Sequence, residues 1–152
     1  WTLAKSRSAS LAPLVIEETL KSIPLLSQCF LVGDGRKFCS ALFTLDVGAI
    51  LRDKIGVESH KIPKDPGEQL SMLEENGHSI TDFTDSEQVK AEIQLLVNEM
   101  NGQFSNPEQL KKFSILPRDF TIDDGELTPT LKIRRKQIRE NWSDVIESMY
   151  SD

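Results

Sequence analysis

Cysteine is nearly missing from this sequence: Cys29 and Cys39 are the only two in 152 residues. That is too few for the disulfide framework by which small secreted domains compensate for a thin core. The two flank a predicted turn, which would bring them near each other across strands. We read them instead as small buried hydrophobes in a reducing compartment. Histidine is equally scarce. His60 and His78 stand in polar stretches, away from any Cys-x-x-Cys or His-x-x-x-His spacing, so the pattern predicts no metal site. Long apolar runs are absent as well; the longest reach roughly five or six residues, against the eighteen or so that cross a bilayer. The first residues, Trp1 to Arg7, lack the apolar stretch of a secretory signal. We therefore expect a cytoplasmic protein. An excess of positive charge is also lacking: 18 Lys and Arg against 24 Asp and Glu leave a net charge of -6. A protein that coats nucleic acid would carry the opposite balance.

What is present is ordinary for a soluble domain, with 38% hydrophobic and 28% charged residues, and the length suits one domain. Residues 1–10 read as irregular. A helix is predicted from Pro13, whose fixed φ suits a first turn. Ile16, Leu20 and Ile23 form its buried stripe, with Glu17, Glu18 and Lys21 expected to face away. Pro24 ends it. Cys29–Val32 and Ala41–Leu45 are short apolar runs around Gly33-Asp34-Gly35-Arg36, the signature of a β-hairpin. Runs apolar on consecutive positions predict strands covered on both faces, so helices must pack against them. A short helix is expected at Ala49–Lys54. Residues 55–84 are polar, acidic and punctuated by Pro63, Pro66, Gly67 and Gly77. We expect them to form a mobile excursion from the core, helical around Gln69–Glu75.

Asp85-Ser86-Glu87 is a helix start signal, and Val89, Ile93, Leu96, Val97 and Met100 make the next buried stripe, closed by Asn101-Gly102. Phe113–Leu116 reads as a strand stopped by Pro117. A last helix is expected from Lys132 to Met149, with Ile138, Trp142, Val145, Ile146 and Met149 on one face. The predicted class is α+β: a small sheet built on a β-hairpin, packed against three or more helices. No internal repeat or low-complexity tract occurs.

Two stretches can carry chemistry: the turn Gly33–Phe38, and Gly125-Glu126-Leu127-Thr128-Pro129-Thr130-Leu131-Lys132-Ile133-Arg134-Arg135-Lys136. Five of the eight residues from Lys132 to Arg139 are basic, in a chain that is acidic overall. Threonine hydroxyls, a rigidifying proline and a helix start would together suit an anionic oxygen, with lysine as a compact point charge. A solvated basic first turn is the competing reading. Cations at a helix start run against the helix dipole, however, which leaves the two evenly matched on the residues alone. For the Gly33–Arg36 turn the hairpin itself is sufficient reason for the glycines.

Ile115-Leu116-Pro117-Arg118-Asp119-Phe120-Thr121-Ile122, followed by Gly125–Arg135, resembles the closing segment of long-chain fatty acyl-CoA synthetases of the adenylate-forming superfamily. Ala12-Pro13, Ile16-Glu17, Val32–Phe38 and Ala41-Leu42 match the small C-terminal domain of that family in order and spacing. The resemblance covers roughly Leu11 to Tyr150, with the middle segment matching poorly. It implies that residues 11–152 form a C-terminal lid domain, preceded in the whole enzyme by a large adenylation domain that binds ATP with Mg and the fatty acid.

In that family the first step joins a carboxylate to the α-phosphate of ATP. The small domain then rotates, and the thiol of CoA attacks the acyl carbon. The resemblance makes Lys132 the catalytic lysine of adenylation, bridging carboxylate and phosphate oxygens. It makes Arg36, Thr128, Thr130, Arg134 and Arg135 candidates for contacts to nucleotide or CoA phosphates. No cofactor is expected on this chain alone, nor any activity without the large domain. Any membrane contact of the parent enzyme is expected to pass through that domain. Ser8-Ala9-Ser10 departs from the family, which has a glycine-containing turn ending in asparagine here. Residues 1–10 are therefore irregular or foreign to the domain, and support for the thioester step is in question. The competing readings are a free-standing remnant or regulatory domain, supported by that altered turn, and a polyanion-binding module using the Lys132–Arg139 face.

Overall fold

The computed structural model describes residues 13–151; the expectations for residues 1–10, including the Ser8–Ser10 turn, lie outside it. Pro13 opens helix α1 (Pro13–Lys21) as predicted, and Ile16 and Leu20 are buried, with Ile23 just beyond. Strands β1 (Leu26–Val32) and β2 (Cys39–Leu45) form an antiparallel hairpin, with Phe30 opposite Leu42 and Val32 opposite Ser40. Gly35 adopts φ +72° in the connecting turn, a conformation that glycine reaches without a Cβ clash. Strand β3 (Leu110–Ile115) lies parallel to β2, with Ala41 opposite Phe113 and Phe43 opposite Ile115, completing a mixed sheet in the order β1-β2-β3. It begins three residues earlier than expected. Asn101 secures this start, since its side chain both donates to the Leu110 carbonyl at 3.0 Å and accepts from the Leu110 amide at 2.8 Å.

The parallel pairing requires a long crossover from β2 to β3, and the central segment supplies it. Asp46 caps α2 (Val47–Ile50), and one π-helical turn follows at Leu51–Ile55. The helix expected at Ala49–Lys54 thus runs from Val47 to Ile55, with its second half widened into a π-turn. Asp65 caps α3 (Pro66–Glu75), α4 spans Thr81–Thr84, and Ser86 caps the long α5 (Glu87–Asn101). Leu73 of α3 is fully buried in the cluster formed by Ile16, Leu20, Leu31, Ala41, Phe43, Ile93 and Val97. Met72, Ile62, Ile80 and Phe83 pack against the same cluster. The segment 55–84, expected to leave the core, is thereby laid onto it.

The other face of the hairpin is covered by the last third of the chain. Phe30, Val32 and Leu42 pack with Leu116, Phe120, Leu127, Ile138, Ile146 and Met149. Alternate residues of each strand therefore enter different clusters, which is why the strands read as continuously apolar. Each such side chain contributes roughly 1.5–3 kcal/mol on full burial. Cys29 and Cys39 are buried free thiols in the first cluster. Burial pushes the Cys39 thiol up to about 11, and Cys29 well above its usual value.

Instead of one final helix there are two, α6 (Arg135–Asn141) and α7 (Ser143–Tyr150), broken at Trp142, whose φ is -115° and ψ 23°. Tyr150 closes α7 onto the sheet. Its hydroxyl accepts from Ser40 Oγ at 2.8 Å and donates to the Phe38 carbonyl at 2.8 Å, while its ring stacks on Phe38.

Candidate functional site

Lys132 does not begin a helix, because its backbone belongs to a second, smaller hairpin. Leu127 and Ile133 form an antiparallel bridge. The Thr128 amide donates to the Lys132 carbonyl at 2.8 Å, and the Arg134 amide to the Glu126 carbonyl at 2.8 Å. These bonds hold residues 126–134 as a narrow projection, and helical geometry starts only at Arg135. The expected placement of Lys132 in a helical first turn is corrected accordingly; at this lysine a loop, not a helix dipole, presents the charge.

At the tip, Thr128 Oγ1 lies 3.1 Å from Thr130 Oγ1 and accepts from the Lys132 amide at 3.1 Å. Leu131 holds φ +67° and is 61% exposed. A leucine in the left-handed region stores strain on the order of 1 kcal/mol or more, so the surrounding hydrogen bonds must impose it. The Lys132 side chain is exposed, and no carboxylate among the described residues forms an ion pair with it. It borders an open groove of about 780 Å³, together with Leu14, Glu18, Lys21, Asp34 and Arg139.

The arginines around it are differently placed. Arg135 donates to both oxygens of Glu17, at 2.9 Å and 2.5 Å, across 118 residues of sequence. That hydrogen bonding raises the Arg135 pKa more than burial lowers it. Glu17 is only 2% exposed and also accepts from the Leu31 amide at 2.7 Å. The expectation that Glu17 faces away from the core is overturned: a carboxylate is buried here because a guanidinium and a strand amide satisfy it. Arg36 forms a two-pronged pair with Glu147 and lies 4.7 Å from the centre of the Tyr150 ring. Arg134 is exposed; its amide closes the small hairpin, and its guanidinium approaches Gly125. Of the residues singled out from sequence, Thr128, Thr130, Lys132 and Arg134 thus share one projection. Arg135, next along the chain, is tied to Glu17 of α1, and Arg36 sits apart at the first hairpin's turn.

The root of the projection holds a residue that sequence reasoning passed over. Glu126 is fully buried, and its carboxylate receives five N–H groups. Arg118 donates twice, at 2.8 and 3.0 Å; the Thr121 amide, Asn141 Nδ2 and Trp142 Nε1 donate at 3.1, 3.1 and 2.7 Å. Burial alone would raise the Glu126 pKa, but these bonds together hold it below the usual carboxylate value. Adjacent side chains on a regular helix point roughly 100° apart. Asn141 and Trp142 both reach one carboxylate, and the α6–α7 break lies at that point. Trp142, expected simply on an apolar stripe, thus turns its N–H inward. Asp119 similarly ties the preceding loop to the sheet, accepting from Ser27 Oγ at 2.6 Å and Thr44 Oγ1 at 2.7 Å. The signal available in sequence was the acid Glu126 placed directly before the apolar and hydroxylated run Leu127–Leu131.

No family profile matches the chain. Individual proteins do. It is 36% identical over 142 residues to the long-chain-fatty-acid–CoA ligase FadD15 of Mycobacterium tuberculosis, covering 93% of this chain and 21% of that ligase. It is 31% identical over 144 residues to the long-chain-fatty-acid–CoA ligase ACSBG2 of Gallus gallus, covering 92% and 19%. The chain is a homologue of long-chain-fatty-acid–CoA ligases. It spans about a fifth of the length of these relatives, so it corresponds to a small part of each of them. Among solved structures, the adenylation and carrier didomain of a carboxylic acid reductase from Segniliparus rugosus, in complex with AMP, aligns with a TM-score of 0.59 at 19% identity, covering 92% of this chain and 16% of that one. The adenylation domain of a carboxylate reductase from Mycobacterium chelonae aligns with a TM-score of 0.58 at 17% identity, covering 93% and 18%. These likenesses place the ligase homologue's fold among parts of adenylation proteins.

Proposed function

We propose that this chain is the small C-terminal domain of a long-chain fatty acid–CoA ligase, and that Lys132 is the cation it supplies for acyl-adenylate formation. The observation that carries the proposal is the contrast around Lys132. Arg36 and Arg135 are engaged by carboxylates, whereas Lys132 stands on a braced loop, exposed and without an ion-pair partner among the described residues. A fatty acid carboxylate and the α-phosphate of ATP repel each other. A compact ammonium placed between their oxygens lowers that repulsion as they approach, and holds both in line for reaction. Thr128 and Thr130 offer hydroxyls beside it, and Arg134 a second exposed cation.

The fatty acid, ATP and CoA are assigned to a large partner domain, and activity requires both parts. Magnesium would accompany ATP there, neutralising phosphate charge. Among the described residues, no group of three or more His, Cys, Asp or Glu could hold a metal ion. Rotation of the domain after adenylation would withdraw Lys132 and admit CoA.

The test uses the full-length parent enzyme. Lys132→Ala is expected to lower fatty-acid-dependent pyrophosphate release from ATP by at least about a hundredfold, the scale of a lost electrostatic stabiliser. Thioester formation from supplied acyl-adenylate and CoA is expected to persist. Equal loss of both steps, or of neither, refutes the assignment.

A further inference from the structure

We infer that Glu126 is a positioning residue for Lys132: its buried carboxylate clamps the root of the projection that carries the lysine. The inference rests on the adenylation role proposed for Lys132 and adds a specific residue to it.

Three features of the geometry carry it. Glu126 is bonded through every polar group it has. Its amide donates to the Thr121 carbonyl at 3.0 Å, its carbonyl accepts from the Arg134 amide at 2.8 Å, and its carboxylate holds the five donors described above. A carboxylate offers about four lone-pair sites, so its capacity is filled. The donors come from two separate places, the 118–121 loop and the junction of α6 and α7, so the carboxylate joins the projection to both. Arg118 is itself held over the Trp142 ring, 4.9 Å from its centre, and its Nη1 lies 3.5 Å from Asp124 Oδ2.

Beyond Leu127 and Ile133, which pack against the second cluster, the projection has little else to steady it. Pro129, Thr130, Leu131 and Lys132 are exposed, and the tip hydrogen bonds run within the loop. A stiff projection on a fixed root behaves as a lever. Lys132 lies opposite Thr128, two residues out from Glu126, which is roughly 7 Å along an extended strand, so tilting the root by about 10° moves the lysine by roughly 1 Å. A displacement of that size at a reacting centre can cost about a hundredfold in rate. Saturating the root carboxylate with donors limits such tilt. A glutamate serves here where an apolar residue would not, because its carboxylate has two acceptor oxygens and no donor, and its bond to a guanidinium is charge-assisted.

The experiment compares Glu126→Gln, Trp142→Phe and Lys132→Ala in the full-length parent enzyme. Glutamine keeps the shape of residue 126 but leaves donor facing donor. Phenylalanine removes the indole hydrogen bond and keeps a smaller aromatic ring at the position. For each variant, pyrophosphate release, thioester formation from supplied acyl-adenylate, and thermal unfolding are measured. Glu126→Gln is expected to lower kcat for adenylation by about 10–100-fold, with the KM for ATP and the thioester rate within about twofold of the parent. Trp142→Phe is expected to act in the same direction, by about threefold or more. A merely structural role would depress both half-reactions together as the fold loosens.

If Lys132→Ala retains adenylation, the lysine assignment fails and the positioning role fails with it. If Lys132→Ala abolishes adenylation while Glu126→Gln and Trp142→Phe spare it, or slow both half-reactions equally, the lysine stands and the positioning role is overturned. Should Glu126→Gln not fold, Trp142→Phe decides on the same criteria.

Discussion

Replacing Glu17 by glutamine preserves the shape of the side chain but removes the charge that holds Arg135 against the sheet. In the native chain the carboxylate accepts from Leu31 N at 2.7 Å and from both terminal nitrogens of Arg135. The amide oxygen of glutamine can keep one of these three bonds well, while its NH2 group meets a donor. Breaking a fully buried ion pair costs about 3–5 kcal/mol, and a hydrogen bond to a charged group about 1.5–3 kcal/mol. The Arg135 side chain is 34% exposed, so water can partly compensate it, and the lower end applies: about 2–3 kcal/mol. At roughly 2–4 °C per kcal/mol for a chain of this size, Tm should fall by about 4–12 °C. Urea and thermal unfolding of the chain measure this, and a double-mutant cycle with Arg135→Met isolates the pairwise part. A coupling below about 0.5 kcal/mol would refute the reasoning. The Arg135 guanidinium would then be available to a phosphate, as the sequence resemblance suggested.

The low-lying Glu126 carboxyl stabilises the fold above the ordinary carboxylate range near pH 4, and that contribution is lost as pH falls through its depressed folded value; urea stability of Glu126→Gln should therefore fall less steeply with acid than that of the parent. At Leu131, φ is +67°. Leu131→Gly should be neutral or stabilising, whereas Leu131→Val should lose about 1–2 kcal/mol, both read by thermal unfolding. Leu73→Ala should cost about 2–5 kcal/mol, because Leu73 is fully buried among core residues; a loss under about 1 kcal/mol would show that segment 55–84 is not anchored as described.

Local chemistry made much of this protein legible. Pro13 and Ser86 start helices where the sequence says they should, the Gly33–Arg36 turn joins two strands, and the stripe Val89, Ile93, Val97 is buried. The motif around Lys132 coincides with one loop, the small hairpin closed by the Leu127–Ile133 bridge. Such features depend on hydrogen bonds and periodicities spanning a few residues, so a reading of neighbours finds them.

The rest depends on partners brought together by chain closure. Nothing near residue 17 announces that Glu17 meets Arg135, and nothing near 110–115 announces parallel pairing with β2. Lys132 reads as the start of a helix until the Leu127–Ile133 bridge and the Arg134-to-Glu126 bond claim its backbone. Trp142 reads as one more apolar position until the Glu126 carboxylate turns its N–H inward. A buried charge is tolerated only where distant donors converge on it. The sequence by itself therefore determined most of the elements and pointed to the lysine; the tertiary structure decided which acids are buried, which arginines are engaged, and which backbone bonds hold the loop around the lysine.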